Sequence, residues 1–232
     1  LLAQRLHLRE QAIHALHVLG DLYLAQALYD RAIDCATRLL ALDAWRESAH
    51  RQLMLALAHS GQRVAALSQY ETCRQVLAAE LGIEPAEETT ALAAHIRAAG
   101  STPRHNLPPP SAALVGRTEE MAAINLRLLQ ADCRLLTLTG AGGMGKTRLA
   151  LHAAAQAHQR GLFLDGVFWV ELTTVTTATG LLTAIASALG LQVSDSKPIL
   201  AQLVAYLRAK EALLVIDNFD HLLAEAGAVV QL

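Results

Sequence analysis

The chain is poor in charge. Only 17% of its 232 residues are Asp, Glu, Lys or Arg, and they balance at −2. Such a composition carries no basic footprint for nucleic acid and no polybasic patch for a membrane surface. Cysteine is scarce as well: Cys35, Cys73 and Cys133 lie far apart, and no CxxC pair occurs. That removes the ligands of a zinc or thioredoxin-like site, and a reducing compartment, the cytoplasm, is expected. Ten histidines do not restore a metal reading. His50 and His59, nine residues apart, fit no common ligand spacing and read as helix histidines. No apolar run approaches the roughly 18 residues of a membrane helix, and the opening residues do not read as a signal peptide. Leu1 falls inside a helical pattern, so a piece of a longer protein is expected at both ends.

Proline is rare and clustered. Four of the six prolines, Pro103, Pro108, Pro109 and Pro110, fall in "STPRHNLPPPS". Three in succession favour polyproline II and exclude helix. A semi-rigid linker is therefore predicted over 101–112. It separates a first domain, 1–100, from a second, 113–232.

Apolar residues are plentiful, at 53%. In the first domain they recur at three and four, as in Val64, Leu67, Tyr70, Val76 and Leu77, which predicts helices. Turn signals at Asp43, Ser60-Gly61 and Leu81-Gly82 make those helices short and antiparallel. A further helix is predicted after Pro85, with Glu87 and Glu88 at its N-terminus and Thr89 or Thr90 near its start. Ala15, Leu19, Ala32 and Ile33 return 34 residues later as Ala49, Leu53, Ala66 and Leu67. That is the tetratricopeptide period, and Leu16, Leu19, Gly20 and Tyr23 supply its large-x-x-Leu-Gly-x-x-Tyr set. An all-α, tetratricopeptide-like repeat is expected, offering a surface to protein partners rather than chemistry.

The second domain has one dense glycine cluster. "TLTGAGGMGKTRLAL" holds Gly140, Ala141, Gly142, Gly143, Met144, Gly145, Lys146 and Thr147, which match G-x-x-x-x-G-K-[ST]. A polyphosphate needs several backbone N–H groups aimed at one point, and glycines let the chain curl around it. The helix that follows adds its free N–H groups and the positive end of its dipole. Lys146 should reach the phosphates, Arg148 lies in the same turn, and the Thr147 hydroxyl should ligate Mg²⁺. Cys133 to Thr139 is predicted as the buried strand before the loop. About 70 residues later the apolar run Leu213 to Ile216 ends in Asp217, the expected second Mg²⁺ anchor at the C-terminal edge of a sheet. "GVFWVELTTV" reads as a strand with Phe168 and Trp169 in the core, and "TGLLTAIASALG" and "PILAQLVAYLRAK" read as helices. The pattern is that of a parallel α/β sheet, truncated at Leu232.

Together these residues resemble a known class. "LVGR" (Leu114 to Arg117), the glycine loop and "LLVIDNFDHLL" look like the STAND signalling NTPases of the NB-ARC and AP-ATPase type. The helical half, ending "LAAELGIEPAEET", resembles the bacterial transcriptional activator domain of large antibiotic-regulatory-type transcriptional regulators. The resemblance implies an ATP- or ADP-controlled switch with nucleotide-dependent assembly. It places Val115, Gly116 and Arg117 near adenine and ribose, and it leaves DNA contact to a domain absent from this chain. Asp217 is followed by Asn218 where many related ATPases carry a second acid. An amide is a poor general base, so slow hydrolysis or none is expected, with Asp217 the candidate catalytic residue and Asp220 the other acid nearby. An active ATPase or phosphotransferase with accessory helices, and a scaffold with a vestigial site, remain alternatives.

Overall fold

The computed structural model describes residues 2–99, 104–109, 114–130, 132–194, 196–208 and 210–232. The chain forms two compact units, 1–102 with 160–162, and 103–159 with 163–232.

The first unit is helical: α1 (Leu2–Ala25), α2 (Tyr29–Leu42), α3 (Glu47–His59), α4 (Arg63–Leu81) and α5 (Glu87–Ala98). Consecutive helices pack against one another, and α3 also meets α1 and α5. The helical spacing accounts for this. In α2, Ala32, Cys35, Ala36 and Leu39 form one buried stripe at steps of three and one. Ala32 and Ala66, 34 residues apart, are both fully buried. A methyl at each point lets neighbouring helix axes approach closely. The helices stop at the expected signals, α2 before Asp43, α3 before Ser60 and α4 before Gly82. Burial also pushes the Cys73 thiol up to about 11.

Polar groups in this unit do structural work. The Glu47 carboxylate accepts from the Ala86 N–H at 2.9 Å and from the Thr89 hydroxyl at 2.7 Å, which ties the start of α5 to α3. Arg51 donates to the same Thr89 oxygen at 2.9 Å. A carboxylate at a helix N-terminus is favoured by the free N–H groups there. His50 is buried between two partners: Gln69 Nε2 lies 2.6 Å from its Nδ1, and its Nε2 lies 2.8 Å from the Ala44 carbonyl. An amide nitrogen only donates, so Nδ1 accepts and Nε2–H donates to Ala44.

The second unit contains α6 (Thr118–Leu128), α7 (Lys146–Gln159), β1 (Gly166–Glu171), α8 (Ala178–Leu189), α9 (Ile199–Leu207) and β2 (Ala212–Asp217), then a 3₁₀ helix (Asp220–Glu225) and α10 (Ala226–Val230). The two strands pair in parallel, from Gly166 opposite Ala212 to Glu171 opposite Asp217. Parallel neighbours need a crossover, which α8 and α9 supply. The strand starts are pinned by Asp165, which holds Lys210 at 2.7 Å and the Glu211 N–H at 2.8 Å. On one face Phe168, Val170 and Leu172 join Ala212, Leu214 and Ile216 in a core with α8 and α9. The alternate residues, Val167, Trp169, Glu171 and Asp217 among them, belong to the opposite face, and α7 packs on both strands. Phe168 and Trp169 are buried, as expected.

One expectation fails. Residues 133–139 do not form a strand, and Leu135 and Leu136 are 63% and 37% exposed. A strand has no hydrogen-bond ladder of its own, so an apolar run becomes one only beside a partner. Among the described residues the sheet has two strands, and none pairs with 133–139.

The β1 edge is covered. Residues 104–106, within the proline-rich stretch, run along β1. The Val167 N–H donates to the Arg104 carbonyl at 2.9 Å, and His105 forms a parallel bridge with Val167. Asn106 then binds Trp169 twice, accepting its N–H at 2.6 Å and donating to its carbonyl at 2.9 Å. The side-chain amide thus replaces a strand peptide. Gly166 stands at the crossing, with φ +118°, where a Cβ would overlap the Arg104 carbonyl.

Two outcomes follow for stability. Burial holds the His50 imidazole below its usual pKa. The unfolded chain therefore binds more protons than the fold, and stability falls as pH drops through the unfolded value of about 6.5. Thermal melts at pH 7.5 and 5.5 should differ less in His50→Gln than in wild type. Asn106→Ala should cost about 1–3 kcal/mol in chemical denaturation, because it strands the Trp169 N–H and carbonyl.

Candidate functional site

The site grows from the start of α7. The glycine loop precedes it, and Gly143 and Gly145 adopt φ 77° and 83°, a region side-chain-bearing residues avoid. Nothing lies within 4 Å of where a Cβ would stand at Gly142, Gly143 or Gly145, so the space before the loop is open. Helix α7 begins at Lys146 and leads with N–H groups that have no intrahelical acceptor. Lys146 Nζ folds over the loop and donates to the carbonyls of Gly140 at 2.8 Å and Ala141 at 3.2 Å.

Asp217, the last residue of β2, meets this helix. The Thr147 hydroxyl donates to its Oδ1 at 2.9 Å. On the other side of the loop, Arg117 donates to the Met144 carbonyl at 3.1 Å and pairs with Glu120 at 2.6 Å. The Arg117 hydrogen bond holds the Glu120 carboxyl below the usual carboxylate range. A cavity of about 370 Å³ opens beside the loop, walled by Arg117, Ile124, Thr139, Gly140, Met144 and Lys146. That volume lies within the roughly 300–1,000 Å³ of small-molecule pockets.

The structure thus gathers Gly140, Lys146, Thr147, Asp217 and Arg117. Ala141, Gly142, Gly143 and Met144 form the exposed loop itself, and Gly145 joins it to α7. Arg148 is exposed in the first turn of α7. Gly116 turns the chain at φ 70°, while Val115 is 85% exposed and outside the cavity wall. Asp220 is exposed at the start of the 3₁₀ helix. Glu120 went unnoticed in the sequence. So did Glu171 and Thr173, although "GVFWVE" carries the same signal as "LLVID", an apolar strand closed by an acid.

The residues fit a magnesium–nucleotide. The Thr147 and Asp217 oxygens are 2.9 Å apart. That is the spacing of adjacent ligands around a cation with bonds of about 2.1 Å, and both are the oxygen donors that Mg²⁺ selects. The open loop, the ammonium and the helix N-terminus form an anion cradle.

Comparison with known proteins finds a domain family on each half of the chain. The bacterial transcriptional activator domain matches residues 1–97, and an AAA domain matches residues 129–232. The Regulatory protein AfsR of Streptomyces griseus is 32% identical over 187 residues, covering 73% of this chain and 19% of that protein. The Regulatory protein AfsR of Streptomyces coelicolor is 31% identical over 201 residues, with the same coverage. An uncharacterized protein of Mycobacterium tuberculosis is 39% identical over 117 residues, 50% of this chain and 28% of its own length. No solved structure matches significantly. The chain joins a bacterial transcriptional activator domain to an AAA domain, and is similar to AfsR-type regulators. It spans about a fifth of the length of those AfsR relatives.

Proposed function

We propose that this chain is the nucleotide-switch segment of a cytoplasmic transcriptional regulator. Residues 113–232 bind ATP or ADP with Mg²⁺ in the manner of a STAND or NB-ARC NTPase. Residues 1–100 form a tetratricopeptide-like surface for protein partners, and 101–112 link the two. DNA contact belongs to segments outside this chain, and assembly depends on the bound nucleotide.

One observation carries the reading: Lys146 closes over an open glycine loop, while its neighbour Thr147, in the first turn of the same helix, bonds Asp217 at the end of β2. Lys146 would exchange its two loop carbonyls for phosphate oxygens, and Thr147 and Asp217 would hold Mg²⁺. Mg²⁺ held there would supply charge neutralisation of the phosphates. A ligand shifts a switch only by its differential affinity for two states. The contacts that can differ between ATP and ADP are those of Lys146 and of the Thr147–Asp217 pair.

Calorimetry on the intact protein tests this. Lys146→Ala should weaken ATP and ADP binding by at least about 100-fold, the loss of charge-assisted phosphate bonds. Affinity equal to wild type would remove the assigned loop from the binding site. Thr147→Val should abolish only the Mg²⁺-dependent part.

A further inference from the structure

Asn218 stands where a second acid is expected, and its surroundings show what replaces that acid. The residue adopts φ 58°, in the left-handed region, at the end of β2. From there its Nδ2 donates to the Thr173 hydroxyl oxygen at 2.9 Å. Thr173 in turn donates to Glu171 Oε1 at 3.0 Å. The direction of this relay is forced. An amide nitrogen only donates and a carboxylate only accepts, so the hydroxyl accepts from Asn218 and spends its one proton on Glu171. An aspartate at 218 would compete for that proton and crowd a third carboxylate beside Glu171 and Asp217.

Glu171 is also on the right face. It is in register with Asp217 on the neighbouring strand, and in-register residues project from the same side of a sheet. That side carries α7 and the glycine loop, as the Thr147–Asp217 contact shows. Phe168, Val170 and Leu172 turn to the opposite core. The loop that bears Thr173 is fixed as well. The Val175 N–H donates to the Leu172 carbonyl at 3.0 Å, and His221 Nε2 donates to the Val175 carbonyl at 2.6 Å. Glu171 itself is exposed, open to a water.

We infer that Glu171 is the general base for nucleoside triphosphate hydrolysis, oriented by the relay from Asn218 through Thr173. The inference rests on the nucleotide reading above. The oxygen of a water forms a bond to the γ-phosphorus, and the bond from that phosphorus to the β–γ bridging oxygen breaks. The nucleoside diphosphate leaves with that electron pair, and the water's proton passes to the Glu171 carboxylate. Asp217 is set apart from this role by its Thr147 partner and by the Mg²⁺ it would hold. The acid has moved one strand across rather than vanished. Turnover persists where Asn218 alone would argue for none. Thr173 and Asn218 are positioning residues.

The test is phosphate release under saturating Mg-ATP, alongside calorimetric affinities for ATP and ADP, on the intact protein. Glu171→Gln should lower kcat at least about 100-fold, as loss of a general base does, with both affinities within about threefold of wild type. Thr173→Val should lower kcat about tenfold without changing affinity, and Thr173→Ser should restore it, since the serine hydroxyl makes the same relay. Wild-type turnover in a Glu171→Gln protein that still binds ATP would overturn the assignment. So would a wild-type protein that binds ATP and releases no phosphate. A wild-type protein that binds neither nucleotide would instead refute the nucleotide site, and this inference with it.

Discussion

Thr147 and Asp217 lie 70 residues apart and touch at 2.9 Å. That contact depends on strand register. In a parallel sheet every strand ends on the same edge, and the helices that connect strands begin or end there. The β1–β2 register, fixed at its start by Asp165 with Lys210 and Glu211, delivers Glu171 and Asp217 side by side. A slip of one residue would send Asp217 to the α8–α9 core and replace it by an apolar neighbour. The Thr147–Asp217 contact, the Asn218 hydrogen bond to Thr173 and the seat of α7 would fail together.

The helical unit solves a different problem with few charges. Its buried polar residues, His50, Gln52 and Thr89 among the described residues, each have a hydrogen-bond partner. Gln52 reaches the His17 carbonyl at 2.9 Å and Asp21 at 2.6 Å, joining α3 to α1. Buried polar groups cost free energy unless bonded, so such contacts fix one arrangement of helices whose apolar faces alone are nearly interchangeable. Alanines carry the packing, as at Ala32, Ala49 and Ala66, all fully buried.

Local signals were legible and pairwise ones were not. Asp43, Ser60-Gly61 and Gly82 mark helix ends because they act through their own backbone. The glycine loop and the start of α7 were readable for the same reason, and so was Asp217 at the end of an apolar run. Residues 133–139 have an equally strong apolar pattern, yet a strand also needs a neighbour, which no local pattern reports. The Asn218–Thr173–Glu171 chain of hydrogen bonds was not legible, because a local pattern has no view across to the neighbouring strand. Glu171 is 47 positions earlier by number, and only the register makes the two adjacent. Val115 carries a motif whose side chain the cavity does not use.

The segment laid along β1 has a directional effect on the sheet. With Arg104, His105 and Asn106 occupying its hydrogen-bonding groups, β1 presents no template to another chain, the hazard of an uncovered edge. Growth is one-sided as a result. A strand such as Cys133–Thr139 that pairs with these two strands does so beside β2, next to the carboxylate of Asp217. Extension of the sheet and completion of the pocket are thereby a single event.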